Sequence, residues 1–199
     1  MIADYRKFMH PHWLESEKLL EERTKDPLFS PYDDDILRYA MIPESGVWGQ
    51  MSISCGMMAW YEANSHQKFS SFNSIVEVGG GFGHFCRVTR SMFSGDYTII
   101  DIPVISRIQN KLVGNFANCV GIDRMDEVGE CDFFVSIFAL NETSPDMLKY
   151  VIDKKLFGAK HWYIYGGKDE WGGFHGLSEY ADKIGGNVTV DGIFIKLWK

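Results

Sequence analysis

Residues 74–103 read SIVEVGGGFGHFCRVTRSMFSGDYTIIDIP, and the way this stretch divides decides the fold. The apolar run Ile75 to Val78 is the pattern of a buried strand. It breaks into Gly79, Gly80, Gly81 and Gly83, and a helical segment begins near His84. Glycines suit a strand-to-helix junction because a tight turn demands positive φ, and because a ligand that approaches the backbone would collide with any Cβ. A second apolar strand, Tyr97 to Ile100, ends on Asp101, 18 residues beyond Gly83. That carboxylate is expected at the carboxyl edge of the neighbouring strand, where it can accept hydrogen bonds from a diol.

A glycine turn followed by an acid serves two kinds of nucleotide fold. The dinucleotide fingerprint G-x-G-x-x-G fails, since counting from Gly79 and Gly81 puts His84 at the third glycine, and counting from Gly81 and Gly83 puts Cys86 there. A nicotinamide oxidoreductase therefore ranks last. The string is E-x-G-x-G-x-G, and Glu77, Gly79, Gly81 and Gly83 resemble the first motif of class I S-adenosylmethionine-dependent methyltransferases. The resemblance implies a cofactor site built from Glu77, Gly79, Gly80, Gly81, Gly83, Asp101 and Ile102, with Asp101 on the ribose. The cofactor implied is S-adenosyl-L-methionine, with S-adenosyl-L-homocysteine as its product. Its methionine end carries an ammonium and a carboxylate and no pyrophosphate, so an acid such as Glu77 near the loop is tolerable.

Downstream, Pro103 can open a helix to about Asn115. Cys119 to Ile122 is the pattern of a third strand ending at Asp123, which either receives the adenine amino group, as in the resembling family, or is a solvated turn residue. Asp132 to Phe138 is a near-continuous apolar run suited to a strand buried on both faces. Ala139-Leu140-Asn141-Glu142-Thr143 follows, and Ser144-Pro145-Asp146 can cap a helix to about Leu156 with Gly158 as its stop. His161 to Tyr165 forms the next strand, then a loop from Gly166 to Gly176 and a helix near Leu177 to Ile184. Asn187 to Val190 and Ile193 to Trp198 flank Asp191-Gly192, a turn that closes an antiparallel hairpin.

Strand-helix alternation of this kind implies an α/β fold, a doubly wound, mostly parallel sheet with ligands at the carboxyl ends of its strands. The antiparallel last strand matches the seven-stranded, Rossmann-like class I methyltransferase sheet, so the resemblance covers Ser74 to Lys199. Within that class, Asp101-Ile102-Pro103 and Ala139-Leu140-Asn141-Glu142 are similar to the sugar O-methyltransferase group. The domain organisation expected is an N-terminal helical cap over residues 1–70 and a cofactor-binding domain over 71–199. The cap is expected to hold an amphipathic helix from Pro11 to about Lys25, a short one between Asp33 and Met41, and a third from Trp48 to Asn64.

The net charge of -7, from 20 Lys+Arg and 27 Asp+Glu, with no basic run, argues against nucleic acid as a partner. Cys55, Cys86, Cys119 and Cys131 show no C-x-x-C spacing and read as reduced thiols of a cytoplasmic protein. No apolar run approaches the length of a membrane span, and no secretory leader is evident. Exposed apolar residues of the cap could pair two chains as a homodimer.

Methyl transfer from a sulfonium is an in-line displacement, so the protein must align the acceptor and exclude water. An alcohol acceptor must also lose a proton. Glu142, after the fourth strand, is a candidate to position the acceptor or take that proton, and Asn141 beside it can hold either ligand. His175, in the polar and aromatic loop after the fifth strand, is the other candidate base. His84 is placed to contact the cofactor or pack locally. His10 and His12 lack a third partner, and the spacing of Asp169, Glu170 and His175 matches no metal motif, so no metal is expected. Trp48, Tyr61, Trp171 and Phe174 could wall an acceptor pocket, although core packing is the commoner role for the two cap residues, Trp48 and Tyr61. The leading expectation is O-methylation of a sugar or sugar-bearing small molecule. The alternatives are an amine or carboxylate acceptor, and a noncatalytic cofactor-binding scaffold.

Overall fold

The computed structural model describes residues 46–168 and 176–199, the backbone alone over 46–52, and Glu17, Lys18, Glu21, Glu22 and Lys25 near the N-terminus. Of the helix expected from Pro11, Glu17, Lys18, Glu21 and Glu22 are described and helical; the helix expected between Asp33 and Met41 lies outside the described residues. Arg107 pairs with Glu21 at 3.2 Å and ties this segment to the domain.

Seven strands make one sheet: β1 (Ser74–Val78), β2 (Asp96–Asp101), β3 (Asn118–Gly121), β4 (Phe133–Ile137), β5 (His161–Gly167), β6 (Asn187–Asp191) and β7 (Phe194–Trp198). Their order is β3-β2-β1-β4-β5-β7-β6, parallel from β3 to β5, with β7 antiparallel to β5 and β6 antiparallel to β7. The doubly wound sheet with its antiparallel last strand is thus as the sequence implied. The helices are α1 (Gly46–Ser65), α2 (His84–Thr89), α3 (Pro103–Val113), α4 (Pro145–Asp153) and α5 (Ala181–Ile184).

Alternation along the strands builds two cores. Val76, Val78, Ile100, Phe134 and Ile164 face Met147, Leu148 and Val151 of α4. Ile75, Ile99, Phe133 and Tyr163 face the other way, against Met58 and Tyr61 of α1 and Phe85 of α2. A smaller cluster joins Phe82 of the glycine loop to Val104, Ile105 and Ile108 of α3. Tyr61 is fully buried, and its hydroxyl donates to the Lys199 carbonyl at 2.8 Å. It is a core residue tying α1 to the chain's end, so of its two readings, pocket wall and core packing, the second holds.

Several local boundaries differ from the sequence reading, three of them in kind or register. β3 stops at Gly121 because Ile122–Glu127 winds into a 3-10 segment that buries Ile122 and Met125, three residues apart as that period requires. The helix expected at 177–184 is a 3-10 turn, Ser178–Tyr180, followed by the single turn α5, ended by Gly185 at φ 74. In the β6–β7 hairpin Asp191 pairs with Phe194, so the turn is Gly192-Ile193, with Gly192 at φ 61, one residue later than read.

After α4 the chain makes a left-handed turn: Lys155, Leu156 and Phe157 have φ of 51, 52 and 56, and Gly158 follows at 72. Each L-residue there costs roughly 1–2 kcal/mol. Burial of Leu156 and of Phe157, stacked on Phe134 at 6.1 Å, offsets that strain. Lys155 is exposed and gains no such burial. Lys155→Gly is therefore expected to stabilise the protein by about 1 kcal/mol, read as a higher urea midpoint at unchanged m; a lower midpoint would refute the strain.

Candidate functional site

β1 lies between β2 and β4, so the connection after β1 runs to one side of the sheet and the later connections run to the other. Such a switch point opens a crevice at the carboxyl ends of the strands. The register sets Val78 level with Ile100 on one side and Ser136 on the other, so the segments leaving β1, β2 and β4 emerge together.

The glycine loop emerges at this point. Gly79, at φ 76, donates its N–H to the Ile100 carbonyl at 2.8 Å. A Cβ on Gly79 would stand 2.0 Å from the Cβ of Ala139, so the loop after β1 closes directly on the segment after β4. The Gly83 N–H donates to the Gly80 carbonyl at 2.8 Å, tightening the turn into α2. Ala139 is itself presented by Phe138, a bulky residue at φ 55 whose ring meets Tyr165 at 4.7 Å and Phe194 at 5.4 Å. Left-handed backbone at a non-glycine residue is uncommon and is held only where the surroundings over-determine it.

Asp101 ends β2, half-buried beside the loop. Its Oδ2 accepts from the Gly81 N–H at 3.0 Å and from Gln109 Nε2 at 3.0 Å; its Oδ1 accepts from the Ile102 N–H at 2.8 Å. Burial pushes its carboxyl up to about 7, against the pull of those three donors. Glu77 lies beneath the loop, 3 % exposed, with Oε2 accepting from the Tyr97 hydroxyl at 2.8 Å. Burial likewise pushes Glu77 up to about 7; the Tyr97 bond opposes this and the Asp101 charge adds to it.

Linkage fixes the sign of the consequence. An acid raised from its ordinary 4.5 to about 7 keeps its proton in the folded chain while the unfolded chain releases it. Stability then falls as pH rises between those values, by about 3 kcal/mol for this one group. Glu77→Gln retains an acceptor for Tyr97 and cannot titrate. The stability of Glu77→Gln relative to wild type is therefore expected to rise by about that amount between pH 4.5 and 8 in urea titrations. A difference that stays flat with pH would show that Glu77 does not titrate there.

Asn141, in the 3-10 turn after β4, is 1 % exposed, and neither amide atom has a hydrogen-bond partner among the described residues. Its Oδ1 lies 2.5 Å from where a Cβ on Gly166 would stand, in the notch that glycine leaves. Glu142 is half-buried next to it. Neither caps α4: Ser144 does, its hydroxyl accepting from the Met147 N–H at 3.4 Å. Asp123 is half-buried after β3, with Oδ1 2.3 Å from the Cβ position of Gly121 and Pro103 beside it. His84 opens α2, 5 % exposed, with Nδ1 unpartnered among the described residues; burial, then the Arg87 charge, brings it down to about 4, so its imidazole is neutral.

The structure thus gathers Gly79, Gly80, Gly81, Asp101 and Ile102 around one loop and sets Asn141 and Glu142 in the turn that follows Ala139, the residue on which that loop closes. Gly80 has room for no Cβ: one would stand 2.5 Å from Ile99. His175, Asp169, Glu170, Trp171, Phe174 and the Trp48 side chain lie outside the described residues, as do His10 and His12. Among the described residues no group of three His, Cys, Asp or Glu side chains could hold a metal, and no helix is long and apolar enough to cross a membrane.

No family model and no curated protein sequence matches the chain. Solved structures do match. The mitomycin 7-O-methyltransferase MmcR aligns with a TM-score of 0.59, covering 95% of this chain and 68% of its own at 13% identity. This is the Rossmann-like methyltransferase fold. PigF, solved with SAH, aligns at 0.57, with 96% of this chain and 70% of its own at 14% identity. An O-methyltransferase family protein from Burkholderia thailandensis aligns at 0.53, covering 99% and 70% at 13%. At such identities the likeness is one of fold, and the chemistry rests on this chain's own residues.

Two residues of the site escaped the sequence reading. Gln109 is fully buried; its Nε2 donates to the Gly81 carbonyl at 2.7 Å as well as to Asp101. Its signal was a polar residue inside the apolar stripe Ile105, Gln109, Val113 of α3, spaced by four. Tyr97 was read as strand filler, but a glutamate on the inward side of β1 needs a buried donor, and Tyr97 is the one β2 offers.

Proposed function

We propose that this chain is an S-adenosylmethionine-dependent methyltransferase that acts on an oxygen atom of a small molecule, a sugar or a sugar-bearing compound. The observation that carries the reading is the Asp101 carboxylate, held against the Gly81 backbone at the switch point of the sheet. The residues fit the cofactor: a Cβ on Gly79 or Gly80 would collide with Ala139 or Ile99, so glycine keeps the loop low at the strand ends, and the Asp101 carboxylate beside it would be an acceptor for a ribose diol. Three aligned structures described as methyltransferases or bound to SAH support it.

When bound, the cofactor supplies a methyl group on a sulfonium, open to in-line attack. Asp101 would orient the ribose, and the glycine loop would let the ligand lie against the backbone. Glu142, on the segment after β4, would align the acceptor hydroxyl and take its proton; His175 is the alternative base. The negative formal charge, -7, favours a small-molecule acceptor over nucleic acid, and the free cysteines suit a cytoplasmic setting. The sugar rests on the Asp101-Ile102-Pro103 and Ala139 to Glu142 strings.

The test is thermal-shift and calorimetric titration with S-adenosylmethionine, S-adenosylhomocysteine and NAD, followed by transfer of labelled methyl to a panel of sugars, amines and carboxylates. A ligand at 100 times its dissociation constant adds about 2.7 kcal/mol of stability, which is measurable. Binding of both sulfur ligands but not NAD, with label on a sugar oxygen, is the expected result. Binding with no turnover on any acceptor would favour a scaffold, and no binding would remove the reading.

A further inference from the structure

Asp101, Gly81 and Gln109 form a closed ring of hydrogen bonds. Gly81 N–H donates to Asp101 Oδ2 at 3.0 Å, Gln109 Nε2 donates to the same oxygen at 3.0 Å, and Nε2 also donates to the Gly81 carbonyl at 2.7 Å. Both partners of Nε2 are acceptors, which fixes the orientation of the amide. The α3 backbone that carries Gln109 is anchored independently, because Ser106 donates to the Val120 carbonyl at 2.9 Å.

We infer that Gln109 is the positioning residue of the cofactor site, a clamp that locks Asp101 to the glycine loop and leaves Oδ1 as the oxygen that meets the ligand. This rests on the methyltransferase reading above. With Oδ2 taken by two donors, rotation of the carboxylate would break both bonds, so its plane is set before any ligand arrives. Oδ1 has one donor, the Ile102 N–H, and keeps acceptor capacity.

Stability alone does not account for a glutamine here. Its Oε1 is buried with no donor among the described residues, an unfavourable state that an apolar side chain of the same shape would avoid. The titratable groups that feel Asp101 are Glu77 on β1 and Cys119 on β3, each raised first by burial and further by its charge; α3 contributes the neutral Gln109 amide, which favours the ionised carboxylate.

The experiment is calorimetric titration of the full chain with S-adenosylhomocysteine from pH 6 to 9, for wild type, Gln109→Met, Asp101→Asn and the double variant. Gln109→Met keeps the volume and removes the donor. The expected result is about tenfold weaker binding, a pH midpoint of affinity moved upward, and little further loss when the change is made on Asp101→Asn. The upward midpoint and the non-additivity are readouts that a packing role would not move. Gln109→Glu sets a second carboxylate against Asp101 and is expected to bind poorly at pH 8, which keeps the test open should the methionine variant fail to fold. If wild type binds and Gln109→Met, or else Gln109→Glu, matches it in affinity and midpoint, the clamp is overturned while the methyltransferase reading stands. If wild type does not bind, both fall.

Discussion

Asp101→Ala is expected to weaken S-adenosylhomocysteine binding by about a hundredfold or more while the protein stays folded. The loss corresponds to roughly 3 kcal/mol, the scale of one or two hydrogen bonds to a charged acceptor. Folding should survive because burial already disfavours this carboxylate, holding its pKa near 7. Near neutral pH it weighs against the fold, and alanine removes that cost along with the bonds from Gly81, Gln109 and Ile102. The pH dependence has a definite sign. A protonated acid is a poorer acceptor for a hydroxyl than a carboxylate, so a ligand that needs the carboxylate must expel its proton below about 7. Wild-type affinity is expected to climb between pH 6 and 8 with net proton release, seen as a buffer-dependent enthalpy, and the alanine variant should show neither. Retained affinity in Asp101→Ala would sink the assignment of the site.

Gly79→Ala should be the most damaging single-methyl change in the described part of the chain. Its φ of 76 costs an L-residue roughly 1–2 kcal/mol. The new Cβ would stand 2.0 Å from that of Ala139, and neither atom sits at the end of a flexible side chain. Relief requires the β1 loop and the segment after β4 to separate, which overpacking data put at another 1–3 kcal/mol. The expected total is about 2–5 kcal/mol in urea unfolding, with ligand binding lost in parallel. Ala139→Gly on the same background should return part of the stability, since it removes the colliding Cβ and leaves the strained φ. A Gly79→Ala protein within 1 kcal/mol of wild type would mean that the loop does not rest on Ala139.

The sheet was legible because its strands are short, apolar and separated by glycine, proline or asparagine signals, and because a parallel strand buried on both faces needs the kind of run seen from Phe133 to Ile137. Asp101 was legible from spacing alone. What spacing could not show is what each acid touches. Glu77 and Asp101 look alike in the motif and share one face of the sheet, but Glu77 lies within β1 and meets Tyr97, whereas Asp101 is the last residue of β2 and meets the loop. Gln109 is eight residues beyond Asp101 and reaches it because α3 folds back along the same strand ends. Asn141 was singled out from the sequence, but its burial against Gly166 depends on β5, which is remote in the chain. The left-handed turn at Lys155 carries no residue signal except its closing glycine, because the strain is offset by burial of Leu156 and Phe157.

The packing of Gly79 on Ala139 has a mechanical consequence. The β1–β4 pairing is the seam along which residues 74–121 meet residues 133–198 in the sheet. A ligand seated over that junction would rivet the two halves from above, so occupancy should slow the exchange of amide protons along the central β1 and β4 more than along the hairpin of β6 and β7 at one edge of the sheet. A ligand bound there would then act on the chain as a fastener.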